Sequence, residues 1–186
     1  MSLSFDHTVL RSTGDDEDKL EKEEWVRYIS KDPLGPHIPL VSRYSWRAKD
    51  PSHQENMPPG PLIYVRFTYT GTEMTLWPDC IAELRILQHD QMKYLGYPDI
   101  AYNFMIGADG TVYEGRGWNV EPTRPPGFEP LKGKCLDIGY IGEFKDQPIP
   151  WLMVNAGVDL IKYGVKGRLI HPLYQTIQYN EDSIVT

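Results

Sequence analysis

The pattern of apolar and polar positions changes period several times along the chain. Leu62-Ile-Tyr-Val-Arg-Phe-Thr-Tyr69 is a β-branched and aromatic run. It predicts a central strand, because such side chains fit a buried, pleated surface. Between Trp77 and Tyr94 the spacing becomes helical: Cys80, Leu84 and Leu87 share one face and Ile81 flanks it. Pro78 suits the first turn, Asp79 complements the N-terminal dipole, and Gly96 sits where a C′ glycine ends a helix. Asn103-Phe-Met-Ile106 and Thr111-Val-Tyr113 are short β-prone runs around Ala108-Asp109-Gly110. This is a strand, a tight turn with Gly110 at positive φ, and a second strand. Gly115 and Gly117 then free the backbone before an exposed-looking Trp118. Leu136 to Phe144 predicts another buried strand, whose glycines point to close backbone packing. Pro150 opens a second helix running to Tyr163, with Leu152, Ala156 and Leu160 on one face and Gly164 as its stop.

Between these elements lie two predicted loops. Residues 50–61 hold Pro51, Pro58, Pro59 and Pro61, and residues 120–134 mix proline, glycine and charge. Residues 1–39 read as an extension, acidic and then Pro-rich, with one short helix over Leu20–Ile29 carrying Trp25, Tyr28 and Ile29 on its apolar side. Residues 40–186 read as the domain. Strands and helices alternate rather than segregate, so the expected fold class is α/β: a single domain with a central mixed β-sheet flanked by helices.

Composition narrows the function. At 186 residues the chain is long enough for one domain with a substantial core. Its net charge of −7 is concentrated, since Asp15 to Glu24 carries seven acids against two lysines. That run reads as a solvated tail, and with no basic stripe nucleic acid is not an expected partner. No apolar run reaches the ~18 residues of a membrane helix, and Met1 to Thr8 lacks the pattern of a signal peptide. Cys80 and Cys135 have no close spacing, so two isolated buried thiols are expected, with a bond between them the open alternative.

The block Asp99-Ile-Ala-Tyr-Asn-Phe-Met-Ile-Gly-Ala-Asp-Gly-Thr-Val-Tyr-Glu-Gly-Arg-Gly-Trp118 closely resembles the core signature of the peptidoglycan recognition proteins, relatives of phage-type zinc amidases. Val41-Ser-Arg-Tyr-Ser-Trp-Arg-Ala48 resembles the opening of that family, and Ile138-Gly-Tyr-Ile-Gly-Glu-Phe144 its later strand. Ala156, Leu160-Ile161, Gly164-Val165 and Gly167 resemble the helix and turn that follow. The resemblance runs from Val41 to about Tyr179. It implies the amidase-like recognition fold, with a groove on one face that holds muropeptides.

Catalytic members hold zinc with two His and one Cys, aided by a Tyr. Where the resemblance places the first His, this chain has Arg66-Phe67-Thr68. A guanidinium has no lone pair to give a metal. Where it places the second His stands Gln178-Tyr-Asn-Glu181, and its Cys-Pro-Gly has no counterpart here. Tyr102 matches the catalytic tyrosine and is expected as a packed groove residue. His7, His37, His53, His89 and His171 neither pair at i, i+4 nor adjoin a cysteine. The expectation is no metal, no cofactor and no enzymatic activity.

For binding, the resemblance points to Gly96, Tyr97 and Arg116 as the corner that tells diaminopimelate-type from lysine-type peptidoglycan. An arginine fork there suits the extra carboxylate of diaminopimelate. Other groove positions depart from the family: Gln91 replaces a His, and Val120-Glu-Pro-Thr-Arg-Pro-Pro126 replaces a Gly-Ala-His loop. Cys80 matches one half of the family disulfide, but Gly71 to Thr75 lacks the other half. The candidate groove is therefore Arg66, Thr68, Gln91, Gly96, Tyr97, Tyr102, Arg116 and Trp118. The resemblance implies a non-catalytic, insect long-form-like domain of innate immune signalling, acting as a receptor segment, modulator or decoy. Its expected partners are diaminopimelate-type peptidoglycan fragments, bound weakly or not at all, and other peptidoglycan recognition domains. A functional diaminopimelate-type receptor is the alternative. The expected setting is an extracellular ectodomain of a longer membrane-anchored protein.

Overall fold

The structure is a computed structural model that describes residues 26–28, 38–72 and 79–178. In chain order the elements are β1 (Val26–Tyr28), β2 (Pro39–Val41), β3 (Leu62–Tyr69), α1 (Asp79–Tyr94), β4 (Phe104–Ile106), β5 (Val112–Glu114), a 3₁₀ turn (Glu129–Leu131), β6 (Cys135–Tyr140), α2 (Trp151–Lys166) and β7 (Ile170–Gln178). The strands form one sheet in the order β1-β2-β5-β4-β6-β3-β7. β1–β2 and β4–β5 pair antiparallel, whereas β2–β5, β4–β6, β6–β3 and β3–β7 pair parallel. This is the mixed sheet the sequence predicts.

The period of two along each strand divides the side chains between two packed layers. Val65 on β3, Leu136 and Ile138 on β6, and Phe104 and Ile106 on β4 meet Met153, Leu160 and Ile161 of α2. Met105 and Tyr113 on the other side meet Cys80 and Leu84 of α1, with Trp46 and Ile100 closing that layer. The β4–β5 turn forms as predicted. Gly110 takes φ 80°, its N–H donates to the Gly107 carbonyl at 2.9 Å, and the Asp109 carboxylate accepts from Thr111 N–H at 2.9 Å. Gly96 takes φ 68°, as a residue past the α1 terminus does.

Four expectations are corrected. Val26–Tyr28, predicted within a helix, is a strand: it pairs antiparallel with Pro39–Val41, and a waiting sheet edge overrides local helix propensity. Trp25 and Ile29 lie outside the described residues, as do Trp77 and Pro78 before α1. The second helix passes through Gly164 and ends at Gly167. Gly164 is required for contact instead, since a Cβ there would lie 2.7 Å from Ile170 Cδ1 and 3.0 Å from the Trp118 ring. The buried face of α2 is Met153, Gly157, Leu160, Ile161 and Gly164, while Leu152 is exposed, because glycines contribute to the packed stripe as backbone. The sequence reading also placed no strand at Ile170–Gln178. Pro172 interrupts its pattern, and the ladder with β3 breaks register there: Leu62 pairs with Ile170 but Tyr64 with Gln175.

Candidate functional site

The parallel β3–β6 register puts Arg66 beside Asp137 and Thr68 beside Gly139. On the other flank of β3, Ile177 lies beside Arg66. Asp137 is fully buried, and two arginines share its carboxylate. Arg66 donates from Nε to Oδ2 at 2.8 Å, with a second guanidinium nitrogen 2.6 Å from the same oxygen. Arg124, from the loop after β5, donates to Oδ1 from Nε at 3.0 Å and from Nη2 at 2.8 Å. Arg124 also donates to the Cys135 carbonyl at 2.8 Å and to Glu121 Oε1 at 2.7 Å. Glu121 Oε2 accepts from Gly133 N–H at 2.8 Å, and the Arg66 guanidinium lies 4.8 Å from the centre of the Phe128 ring. Two cations and two anions balance in a place with little water. A buried pair holds only when its remaining polar atoms are also satisfied. The network pins the 121–133 loop onto the sheet where the sequence predicts a groove floor.

The surroundings of this network follow from burial. The Cys135 thiol lies 3.4 Å from Asp137 Oδ1, and burial, reinforced by that carboxylate, pushes its pKa up to about 12. Tyr102 rests on Gly139, where a Cβ would come within 3.0 Å of the ring, and burial pushes its hydroxyl up to about 12. Arg66, Thr68 and Tyr102 therefore do converge on one patch of the sheet. Among the described residues, the Thr68 hydroxyl makes a 3.5 Å contact with the Tyr69 carbonyl.

Gln91, Tyr97 and Arg116 gather at a second place, around Ile100 and Ala101. Gln91 is buried and accepts from Ala101 N–H at 2.8 Å, and the Tyr97 N–H donates to the Gln91 carbonyl at 3.0 Å. Gly96 is exposed beside them. Arg116 is 7% exposed. Its guanidinium donates to the Ile100 carbonyl at 2.6 Å, the Glu121 carbonyl at 2.8 Å and Thr123 Oγ1 at 2.8 Å. Burial holds its pKa below the usual arginine value. The expected carboxylate-reading fork is thus turned inward and spent on the chain itself. Trp118 is not at the groove. It is half-buried in the other layer, 4.8 Å from Phe104 and 6.1 Å from Tyr163 between ring centres.

Asp137, Arg124, Glu121 and Phe128 escaped the sequence reading. The available signal was Asp137 itself, an acid inside the apolar run Leu136-Asp-Ile138, which demands a buried cation nearby. Zinc does not fit the residues present. Arg66 offers no lone pair and is bound to Asp137, and its β7 neighbour is Ile177. Among the described residues no group of three His, Cys, Asp or Glu side chains could hold a metal ion. Cys80 and Cys135 are both buried, and neither is in a disulfide.

No family model matches the sequence. It is 34% identical over 138 residues to peptidoglycan recognition protein 1 of Mus musculus, covering 73% of this chain and 74% of that protein. The chain belongs to the peptidoglycan recognition protein family. It is also 32% identical over 143 residues to peptidoglycan-recognition protein LB of Drosophila melanogaster; that match covers 76% of this chain but only 60% of the LB protein. Among solved structures, the ectodomain of the Drosophila transmembrane receptor PGRP-LCa superposes with a TM-score of 0.70 at 31% identity, covering 74% of this chain and 82% of that one. Peptidoglycan recognition protein-LE, solved in complex with tracheal cytotoxin, a monomeric diaminopimelic acid-type peptidoglycan, gives 0.69 at 30%, covering 75% and 81%. The peptidoglycan recognition fold is thus shared along three quarters of the chain.

Proposed function

We propose that this chain is a non-catalytic peptidoglycan-recognition-type domain of innate immune signalling that binds muropeptides weakly or not at all. It acts as a receptor segment, modulator or decoy through other peptidoglycan recognition domains. The observation that carries this reading is the filled groove: Arg66, Asp137, Arg124 and Glu121 tie the 121–133 loop over the floor. Arg116 adds to it, since it is buried and three of its five N–H donors are engaged within the chain. A forked pair to a diaminopimelate carboxylate therefore requires the guanidinium to turn outward, and each buried acceptor it then leaves unpaired costs ~1–3 kcal/mol. Micromolar affinity needs about 8 kcal/mol net.

Loss of catalysis follows from a donor set unsuited to zinc. An extracellular setting rests on the likeness to the PGRP-LCa ectodomain, and no helix among the described residues is long and apolar enough to cross a membrane. The competing reading, a working diaminopimelate-type receptor, draws on Gly96, Tyr97 and Arg116 and on the LE complex. Calorimetric titration with a monomeric diaminopimelate-type muropeptide decides between them. The expected dissociation constant is weaker than about 100 μM, equivalent to less than ~5.5 kcal/mol. A value near 1 μM overturns the proposal and promotes the receptor.

A further inference from the structure

A cleft of about 540 Å³ opens beside the N-terminal end of β3, lined among others by Met57, Pro58, Leu62, Trp118, Asn119 and Arg168. It belongs to the α2 side of the sheet, whereas the Arg66–Asp137 network belongs to the other. Its walls are tied together before any ligand arrives. Met57 N–H donates to the Asn119 carbonyl at 2.8 Å, Leu62 N–H donates to the Leu169 carbonyl at 2.8 Å, and Trp118 is braced by Phe104 and Tyr163. The volume falls in the range of small-molecule sites, and the lining mixes the apolar side chains of Met57, Pro58, Leu62 and Trp118 with the polar groups of Asn56, Asn119 and Arg168.

Arg168 supplies the chemistry. Helix α2 ends in a Schellman motif. Leu169 N–H donates to the Gly164 carbonyl at 2.8 Å and Arg168 N–H to the Val165 carbonyl at 3.0 Å. Arg168 occupies the C′ position at φ 59°, where glycine is the favoured residue. Its side chain is exposed and makes no hydrogen bond or ion pair with any described residue. No acid lines the cleft; the nearby Glu55 is engaged by Lys132 at 2.9 Å.

The geometry points to a binding site for a small amphipathic carboxylate, an apolar or aromatic body bearing one carboxyl group. The body lies against Trp118, Met57 and Pro58, and the carboxylate meets the Arg168 guanidinium as a forked ion pair. Both a peptide C-terminus and a free aryl acid have this chemistry.

The test is an NMR titration of the whole chain, following the Trp118 indole N–H and the Leu169 amide. The probes are N-acetyl-L-phenylalanine, its methyl ester and 3-phenylpropionate. Both acids should give saturable shifts at these two groups, and the ester should not. Arg168→Gly should weaken acid binding at least about tenfold. The same variant should raise the melting temperature by about 2–4 °C, since glycine relieves the backbone at C′, which also certifies the fold. Tighter binding of N-acetyl-L-phenylalanine identifies a peptide C-terminus, and tighter binding of 3-phenylpropionate a free acid. Absence of saturable shifts from both acids, equal binding of the ester, or unchanged binding in Arg168→Gly overturns the site. None of these readouts depends on muropeptide affinity.

Discussion

Asp137→Asn tests whether the charge cluster holds the groove closed. The substitution keeps shape and one acceptor oxygen but removes the charge that two arginines face. Arg66 is 4% exposed, and the side chain of Arg124 is 6% exposed, so water cannot replace the lost partner. Glu121 still neutralises Arg124 at 2.7 Å, which leaves one uncompensated positive charge, centred on Arg66. Removing one partner of a buried ion pair costs 3–5 kcal/mol in measured cases, so a loss of about 4 kcal/mol is expected here. For a domain of this size that is roughly 8–16 °C in melting temperature. Arg124→Ala should cost a comparable amount, because Asp137 keeps Arg66 at 2.6 Å but Glu121 is left as the uncompensated buried charge. The assay is guanidinium unfolding at neutral pH of the wild type and both variants. The Asp137→Asn deficit should persist in high salt, since ions screen buried pairs poorly. A deficit below about 1 kcal/mol for either variant refutes the reading of this cluster as a buried, mutually compensated network.

Two further outcomes follow from buried ionisable groups. Cys80 and Cys135 should resist a thiol reagent in the native state, and Cys135 most of all, since its pKa of about 12 leaves almost no thiolate at pH 8; mass spectrometry after alkylation in denaturant should then find two labels, and a Cys80–Cys135 bond would show none. Tyr102 and Tyr140 both titrate at about 12 when folded against 10.0 unfolded, so between pH 10 and 12 the unfolded chain binds fewer protons. Cys135, at about 12 when folded against 9.0 unfolded, acts the same way from pH 9, so stability should be level from neutral pH to about 9 and then fall by at most about 1.4 kcal/mol per pH unit for each of the three groups; unfolding curves that stay flat from pH 10 to 12 would contradict this burial.

The central elements were legible because each carries a local signal strong enough to survive its context. Leu62–Tyr69 is rich in β-branched and aromatic residues, Asp109-Gly110 encodes its own turn, and Cys80, Leu84 and Leu87 mark a single helical stripe. Strand β1 was missed because its three residues gain their partner only from Pro39–Val41, a tertiary contact no local window contains. The site was half legible. Arg66 and Tyr102 could be placed together from their motifs, but Arg116 could not be seen to turn inward. Its partners are carbonyls of Ile100 and Glu121, and backbone acceptors leave no mark in a sequence. Trp118 was misassigned because a Gly-flanked aromatic reads the same whether it faces a groove or the opposite layer.

The slip between β3 and β7 has a consequence for how the protein behaves in a crowd. From Leu62 to Tyr64 β3 advances two residues while β7 advances five, from Ile170 to Gln175. His171-Pro172-Leu173-Tyr174, four residues opposite the single Ile63, bulge from the ladder like a blister, with Leu173 82% exposed. Among the described residues β7 is the last strand of its sheet, and an open last strand invites another chain to add itself. A blister with a proline in it cannot present the even row of donors and acceptors such an addition needs. The irregular ladder therefore acts as a stop on sheet growth, leaving Gln175–Gln178 as the short stretch from which polymerisation could start.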